Sequence, residues 1–371
     1  MLIRFEVSNF KNFNDNLVLN LTETKKFKFN EKCVEDGIVK KALIYGQNGT
    51  GKSNLGYAIF DILKHLTTKN VNNELYNNYL NADSDKKTVS FIYEFQFKFG
   101  KVKYCYTKED HSTLLKEKIE INNKVFAEVD REKSVESIIN AKGAESLKKN
   151  IENKHVSIIS YIKNNAFLDE ENKENKAFYE FINFVENMLF FRSLNDGNSY
   201  MGHVVGGKEI DQDIIDHGNV KEFEIFLNKL EIKCKLDVLE IGGLKILVFV
   251  FKNKVIPFYD VASSGTRALA LFYFWFQRMK EKNIQFIFID EFDAFYHFEL
   301  AKNIIEILKE QDIQIILTTH NTALMSNELL RPDCYFLINN SKINNLSNLT
   351  LKELREAHNI EKMYKAGSFE L

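Results

Sequence analysis

The amino-acid sequence predicts an α/β fold in which a mixed β-sheet is flanked by helices. Two segments, 285–289 and 314–318, are almost entirely apolar, which is typical of strands that are covered on both faces of a sheet. Segment 300–309, between them, carries apolar residues at helical spacing, so strands and helices alternate along this part of the chain. With 44% hydrophobic and 27% charged residues, the composition is that of a soluble globular protein.

The other elements follow from the same two periodicities. Residues that alternate in polarity, or short apolar runs, predict strands at 2–7, 17–21, 41–45, 235–240, 245–251 and 255–258, and a hairpin over 89–106 that turns at Gly100. Apolar residues three or four positions apart predict helices at 54–67 and 268–280. The polar, asparagine-rich segment 68–87 is expected to be a linker.

A change in composition sets the predicted domain boundaries. The middle of the chain is rich in lysine, glutamate and asparagine and has helical patterning, so we expect an inserted helical lobe at 131–232. It separates an N-terminal lobe at 1–130 from a C-terminal lobe at 233–371. The insertion lacks a sustained heptad repeat, and a long coiled-coil arm is therefore not expected.

Charge, cysteine content and apolar runs exclude several classes of protein. The net charge of -2 gives no overall attraction to nucleic acid, so such binding would need a local basic patch. The four cysteines are far apart and lack the spacing of a zinc site or a disulfide framework. The first residues do not resemble a signal peptide, and the longest apolar run, 268–276, is too short to cross a membrane. We therefore expect a cytoplasmic protein.

A phosphate-binding loop is predicted between strand 41–45 and helix 54–67. The segment matches the pattern GxxxxGK[ST] and consists of Gly46, Gln47, Asn48, Gly49, Thr50, Gly51, Lys52 and Ser53, with Asn54 following. Glycines allow the backbone N–H groups to surround phosphate oxygens at a helix N-terminus. Lys52 would add a positive charge, and the Ser53 hydroxyl would bind Mg²⁺. The sequence therefore predicts ATP and Mg²⁺ as ligands.

Two adjacent carboxylates follow the apolar strand 285–289. We expect Asp290 to hold Mg²⁺ and Glu291 to orient and deprotonate the attacking water. An acidic turn after a core strand is the alternative. His320 follows the next apolar strand and is predicted to approach the γ-phosphate, although a histidine in this position is often only structural.

A second anion site is predicted at the start of helix 268–280. Ser263, Ser264 and Gly265 place a hydroxyl and exposed N–H groups there, and a simple helix N-cap is the alternative. One chain seldom needs two sites for one triphosphate. The second site would therefore serve the nucleotide of a neighbouring molecule.

The order of these motifs resembles that of ABC-type ATPases. Among them, the segments YGQNGTGKSNL, VASSGTRAL, DEFDAFYH and LREAHNIEKMYKAGSFE are most similar to AAA-type ATP-binding proteins of prokaryotic phage defence, some of them associated with RloB-like proteins. The resemblance implies an ABC-type P-loop ATPase head with Lys52, Glu291 and His320 as catalytic residues. It also implies that Ser263 and Gly265 contact the γ-phosphate bound by an opposing subunit.

The sequence departs from the wider superfamily at several positions. The signature segment has Ser-Ser-Gly-Thr where Ser-Gly-Gly-Gln is usual, and Gln96 is a weak candidate for the Q-loop glutamine. His297 falls where related families place a dimer-seam residue. Asn9 and Lys11 could lie near the nucleotide, as in SMC-like heads, but solvated loop positions are the favoured interpretation. With 51 residues after His320, we do not expect the TOPRIM nuclease domain of OLD proteins.

The resulting functional hypothesis is an ATP-dependent dimerisation switch or sensor in an anti-phage, abortive-infection system. Its expected partners are a second copy in a homodimer or higher oligomer, and a separately encoded effector such as an RloB-like or other nuclease. Nucleic acid could bind through a local patch, and no membrane contact is expected. The alternatives are an SMC-like DNA-repair head and a nucleotide-bound scaffold with negligible turnover.

Overall fold

A computed structural model describes residues 1–69, 76–192, 200–202, 209–281, 284–339 and 342–369, and the statements below concern these residues. Two seven-stranded sheets, one of three strands and one of two form the β structure. The strands are β1 Leu2–Ser8, β2 Leu17–Asn20, β3 Val34–Glu35, β4 Ile38–Val39, β5 Lys41–Tyr45, β6 Val89–Gln96, β7 Lys101–Lys108, β8 Leu114–Ile121, β9 Lys124–Asp130, β10 Ile138–Ile139, β11 Met188–Arg192, β12 Tyr200–Gly202, β13 Leu236–Ile241, β14 Leu244–Val250, β15 Val255–Pro257, β16 Phe286–Asp290, β17 Gln314–Thr319, β18 Tyr335–Asn339 and β19 Lys342–Asn345.

The α-helices of the described residues lie against these sheets and connect them. They are α1 Lys52–Phe60, α2 Leu63–Leu66, α3 Ile158–Asn165, α4 Lys173–Glu186, α5 Ile210–Asp216, α6 Val220–Lys229, α7 Phe258–Val261, α8 Ser264–Lys280, α9 Phe298–Lys309 and α10 Ile360–Lys365. None of them is both long and apolar enough to cross a membrane.

The central sheet has the order β12-β11-β16-β17-β5-β18-β19. Strands β11, β16, β17, β5 and β18 run parallel, and the two edge strands pair antiparallel. Buried positions occupy the whole of β5, β16 and β17, as the apolar sequences of the last two predicted. The predicted fold class, an α/β fold with a mixed sheet flanked by helices, is confirmed.

Helix α1 is packed between the central sheet and the second large sheet, which is antiparallel and has the order β10-β9-β8-β7-β6-β1-β2. A Cβ atom on Gly56 would come within 2.6 Å of Phe190 and 2.8 Å of Phe288, so glycine allows α1 to approach the central sheet closely. On the other side, the Tyr93 hydroxyl of β6 donates to the Ala58 carbonyl at 3.0 Å. The helix that follows the phosphate loop is therefore held from both sides.

Helix α8 covers the opposite face of the central sheet. Successive side chains of a strand point to opposite faces, and Phe190 of β11 lies on the α1 side. The next residue, Phe191, stacks on Trp275 of α8 with ring centroids 5.8 Å apart. The layers are therefore the antiparallel sheet, α1, the central sheet and α8.

The segment 131–232 is not entirely helical. It contains α3 to α6, as its composition predicted, but also β11 and β12, which belong to the central sheet. Part of it lies outside the described residues. The boundaries of the three predicted domains stay predictions.

Two other sequence predictions differ from the structure in detail. The helix predicted at 54–67 is divided into α1 and α2, which are separated by Asp61 and Ile62. Strands β3, β4, β8 to β12, β18 and β19 had no counterpart in the prediction, whereas the hairpin of β6 and β7 is confirmed. The linker predicted at 68–87 falls partly outside the described residues.

Candidate active site

The carboxyl ends of four parallel strands meet at one edge of the central sheet. Arg192 at the end of β11 is in register with Asp290 at the end of β16, and Thr319 of β17 is in register with Tyr45 of β5. Ligand sites of α/β sheets lie at such edges, because the loops that follow the strands converge there. Except for segment 263–265, the predicted site residues lie in or directly beside the loops that follow β5, β16 and β17.

The phosphate loop connects β5 to α1 in the predicted position. Gly49 has φ +82° and Gly51 has φ +99°, values at which a side chain would be strained. A Cβ atom on Gly51 would also lie 2.5 Å from Asn12 Nδ2 and 2.7 Å from Phe13 Cε1. The loop therefore needs glycine at 51 both for its backbone conformation and for its contact with the N-terminal segment.

Lys52 is folded along the phosphate loop. Its ammonium group donates to the carbonyl of Gly46 at 2.8 Å and to that of Gln47 at 3.0 Å, and the residue is only 4% exposed. Burial lowers the pKa of Lys52, while the nearby carboxylates of Glu291 and Asp290 act in the opposite direction. The charge is thus kept beside the loop that would hold the phosphates.

Asp290 is fully buried and its two oxygens have separate partners. The Ser53 hydroxyl donates to Oδ2 at 2.6 Å, and the Thr318 hydroxyl donates to Oδ1 at 2.7 Å. A carboxylate and a serine hydroxyl in contact form the type of oxygen ligand set that Mg²⁺ uses together with phosphate oxygens and water. Asp290 and Ser53 therefore fit the predicted metal site.

Glu291 has an unusual backbone conformation, with φ +47°. Left-handed conformations are rare for residues with a side chain, and they cluster where structure is constrained for function. The N–H group of Glu291 donates to the hydroxyl of Thr318 at 2.8 Å. This turn directs the Glu291 side chain to the cavity, whereas Asp290 stays buried.

A cavity of about 370 Å³ brings most of the predicted residues together. It is lined by Asn48, Gly49, Gly51, Lys52, Ser53, Asn54, Glu291 and His320. Of the remaining loop residues, Thr50 donates to the Gln47 carbonyl at 2.8 Å and thereby closes the loop on itself. The phosphate loop, the predicted base and the predicted histidine thus share one cavity.

The segment predicted as the second anion site does not line this cavity, as far as the described residues extend. Ser263 is the N-cap of α8, and its hydroxyl accepts from the Thr266 N–H at 3.2 Å. Ser263 and Ser264 are exposed, and a Cβ atom on Gly265 would lie 3.0 Å from the Phe295 carbonyl oxygen. This geometry is compatible with both interpretations of the segment. It is an N-cap of α8, and it is also an exposed surface that another molecule can approach.

The minor candidates occupy other environments. The His297 ring is the N-cap of α9 and accepts from Leu300 N–H at 3.3 Å. Gln96 lines a different cavity, together with Met1, and has no place in the phosphate site. The expectation that Asn9 is solvated is wrong, because Asn9 is fully buried and donates to two backbone carbonyls. Lys11 donates to the carbonyl of Asn77.

Three residues of the site were absent from the sequence prediction. Thr318 bonds both Asp290 and Glu291, Asn12 accepts from Asn54 at 2.6 Å, and Arg192 lies 3.0 Å from Asp290. In the sequence, Thr318 and Arg192 differ from other polar residues only in that each ends an apolar run. This pattern does not show which strands are neighbours in the sheet, and the contacts of these residues depend on that order.

Comparison with known proteins identifies the family. A family model described as "AAA domain, putative AbiEii toxin, Type IV TA system" matches residues 41–326, which is more than half of the chain. No curated protein matches the sequence.

Among solved structures, similar ones include the SMC head domain from Thermotoga maritima, with 15% identity and a TM-score of 0.47 over 93% of this chain and 98% of that one. A second is an SMC head bound to the C-terminal winged-helix domain of ScpA, with 16% identity and a TM-score of 0.48 over 93% and 97%. A third is an SMC head domain with an extended coiled coil, bound to the C-terminal domain of ScpA derived from Pyrococcus furiosus. Its identity is 15% and its TM-score 0.46, over 94% and 97%.

Proposed function

We propose that this chain, which belongs to that AAA family, binds ATP with Mg²⁺ and hydrolyses it to ADP and phosphate. The single observation that carries the proposal is the shared cavity, in which Lys52 and Ser53 of the loop lie with Glu291 and His320. These groups supply phosphate binding, a metal ligand and a base, which together are what phosphoryl transfer to water requires.

Binding would use the backbone of the phosphate loop and the charge of Lys52. In this structure the ammonium group already donates to two loop carbonyls, so a phosphate would take over contacts of a cation that is in place. Ser53 and Asp290 would hold Mg²⁺. The bound cation would neutralise developing negative charge on the phosphates.

Hydrolysis would use Glu291 as the general base. The water oxygen forms a bond to the γ-phosphorus, its proton passes to the Glu291 carboxylate, and the bond to the β-phosphate oxygen breaks. His320 lines the same cavity and would hydrogen-bond the γ-phosphate or the attacking water. The left-handed backbone at Glu291 supports this role, because it separates the base from the metal-binding Asp290.

We further infer that a second copy completes the site. Ser263, Ser264 and Gly265 form an exposed helix N-terminus outside the cavity of their own chain, where they are available to a phosphate bound by another copy. ATP would then favour a homodimer, and hydrolysis would release it.

The biological role that we propose is a nucleotide-dependent switch in an anti-phage, abortive-infection system. Its support is the family description, which names an AbiEii toxin and a Type IV toxin–antitoxin system. The two nucleotide states would be recognised by a separately encoded effector such as an RloB-like nuclease. An SMC-like DNA-binding role has less support, because lysines on the antiparallel sheet are paired with carboxylates, for example Lys118 with Glu120 and Lys101 with Glu94.

The test of hydrolysis is Glu291→Gln, which keeps the shape of the side chain and removes the base. We expect turnover to fall by about 100-fold or more, because general base catalysis contributes that much, while ATP binding is retained. Phosphate release and nucleotide binding should be measured on the same preparations. Glu353→Gln, which changes an exposed residue paired with Arg355, is the control. Unchanged turnover in Glu291→Gln would exclude Glu291 as the base.

A further inference from the structure

Arg192 brings a positive charge to the two acidic residues of the site. It ends β11, the strand that pairs with β16, and its backbone is in register with Asp290. Its Nε lies 3.0 Å from Asp290 Oδ2, and its Nη2 lies 4.0 Å from Glu291 Oε2. Nη1 donates to the Tyr57 hydroxyl of α1 at 3.4 Å. The guanidinium therefore reaches the predicted metal ligand, the predicted base and the phosphate-loop helix.

The contact with Asp290 competes with the proposed metal site. The oxygen that Arg192 approaches, Oδ2, is the same one that accepts from the Ser53 hydroxyl at 2.6 Å. Under the proposed function, Ser53 and Asp290 would hold Mg²⁺. Two cations at one oxygen would lie within about 4 Å of each other, where like charges repel strongly in a partly buried site. Mg²⁺ and the present position of Arg192 therefore exclude one another.

Arg192 is held less completely than a fully buried ion pair. Its Nε is close to Asp290 but forms no aligned hydrogen bond, and the side chain remains 20% exposed. The fully buried pair of Lys108 and Asp61 offers a contrast, with a hydrogen bond of 2.6 Å and no exposed side-chain surface. An ion pair like that of Lys108 and Asp61 would not be displaced easily. The contact between Arg192 and Asp290 can be exchanged for another partner.

We propose that Arg192 is a positioning residue that alternates between the two carboxylates. It neutralises the buried Asp290 in the absence of metal, yields that position to Mg²⁺, and then pairs with Glu291, which is already 4.0 Å away. Pairing with Glu291 would hold this carboxylate in one orientation for proton abstraction. This inference rests on the proposed function, since it needs Mg²⁺ at Asp290.

The alternation predicts an unusual effect of removing the charge. In Arg192→Gln, Mg²⁺ no longer competes with a guanidinium, so the Mg²⁺ concentration that half-saturates ATP binding should fall by about tenfold. Turnover at saturating Mg²⁺ should also fall, because Glu291 loses its partner. If Arg192 only joined β11 to β16, its replacement would lower the stability of the fold without increasing the apparent affinity for Mg²⁺.

The experiment is a titration of Mg²⁺ against binding of a fluorescent ATP analogue, with phosphate release measured in parallel. Arg192→Lys keeps one charge, so its Mg²⁺ requirement should stay within about twofold of wild type while turnover falls, because one ammonium group lacks the second nitrogen that reaches Glu291. Arg4→Gln is the control, since Arg4 pairs with Glu6 at 2.7 Å on the antiparallel sheet. Thermal melting checks that each variant is folded.

The outcomes separate the inference from the proposed function. If wild type binds ATP and requires Mg²⁺, but Arg192→Gln has the same Mg²⁺ requirement, the alternation is wrong and the ATPase proposal stands. Should Arg192→Gln fail to fold, a large shift of the Mg²⁺ requirement in Arg192→Lys would equally overturn the alternation. If wild type does not bind ATP under any Mg²⁺ concentration, the proposed function itself fails.

Discussion

One hydroxyl group, that of Thr318, links the two acidic residues of the site. It donates to Asp290 Oδ1 and accepts from the Glu291 N–H, and Thr318 is fully buried. A single side chain thus fixes the direction of the proposed metal ligand and the turn at which the proposed base leaves the strand. Because the site of this hydroxyl is buried, water cannot easily take its place. The hydrogen bonds to Asp290 and from the Glu291 N–H therefore both depend on Thr318.

Replacement of Thr318 by valine should uncouple the two acidic residues. Thr318→Val keeps the shape but leaves Asp290 Oδ1 and the Glu291 N–H unpaired. We expect a loss of about 1–3 kcal/mol in the free energy of unfolding and a fall in turnover of about 10- to 100-fold. Denaturant unfolding and phosphate release are the measurements.

The neighbouring threonine provides the control for that variant. The Thr319 hydroxyl donates to Asp293 at 2.9 Å, and Asp293 does not line the nucleotide cavity. Thr319→Val should therefore lower the free energy of unfolding by an amount similar to Thr318→Val, but it should reduce turnover much less. Equal losses of turnover in both variants would mean that Thr318 has no special part in placing Asp290 and Glu291.

At the residue scale, the sequence was sufficient to predict those site residues that are close together in the chain. Lys52 and Ser53 belong to one motif, and Asp290 and Glu291 are adjacent, so a pattern of residues predicted their common site. Arg192 could not be found in this way. Its contact with Asp290 depends on β11 being the neighbour of β16, a pairing between residues about a hundred positions apart.

Among the elements, the phosphate loop is supported by the N-terminal segment. The Asn54 amide donates to Asn12 at 2.6 Å, and Phe13 packs against Gly51. Asn9, at the start of the same turn, is fully buried and bonds the carbonyls of Lys86 and Thr88. The loop conformation therefore depends on residues 9–13 as well as on its own glycines.

Two glycines of the loop allow this support to be measured. Gly49→Ala places a methyl group in open space, so only the positive φ is penalised, at about 1 kcal/mol. Gly51→Ala adds a collision with Asn12 and Phe13, and we expect a loss of about 2–4 kcal/mol in the free energy of unfolding. The measurement is denaturant unfolding without nucleotide. Equal losses in the two variants would show that residues 12 and 13 do not constrain the loop.

The elements that were predicted correctly are those with a strong local pattern. Strands β16 and β17 are short, apolar and followed by polar residues, and β6 and β7 alternate around Gly100. Strand β11 was missed because four apolar residues directly after α4 continue a helical pattern. Tertiary pairing with β16, rather than local preference, makes this segment a strand.

At the scale of the whole molecule, α1 connects the phosphate loop to the antiparallel sheet. The helix begins at Lys52, and Asp61 follows its last residue. The Asp61 carboxylate is fully buried and accepts from the hydroxyls of Tyr79 and Tyr106 and from Lys108. Hydrogen bonds therefore fix both ends of α1, one at the phosphate loop and the other at the antiparallel sheet.

The proposed dimer can be tested by mixing two inactive variants. Lys52→Ala removes the phosphate-loop charge, and Ser264→Glu puts a negative charge where the second site would meet the γ-phosphate, at a helix N-terminus that tolerates acidic residues. If each active site combines Lys52 of one copy with Ser264 of the other, a mixed dimer contains one intact site and one doubly altered site. Half of the dimers in an equal mixture are mixed, so about a quarter of wild-type turnover should return.

A site built within one chain would give a different result. Each variant would then carry its own defect into every dimer, and the mixture would stay as inactive as its components. Because Ser264 is exposed and lies outside the cavity that contains Lys52, loss of turnover in Ser264→Glu alone already points away from a direct effect within the chain. Recovery on mixing would require the two elements to meet between copies, since neither variant alone contains both in intact form.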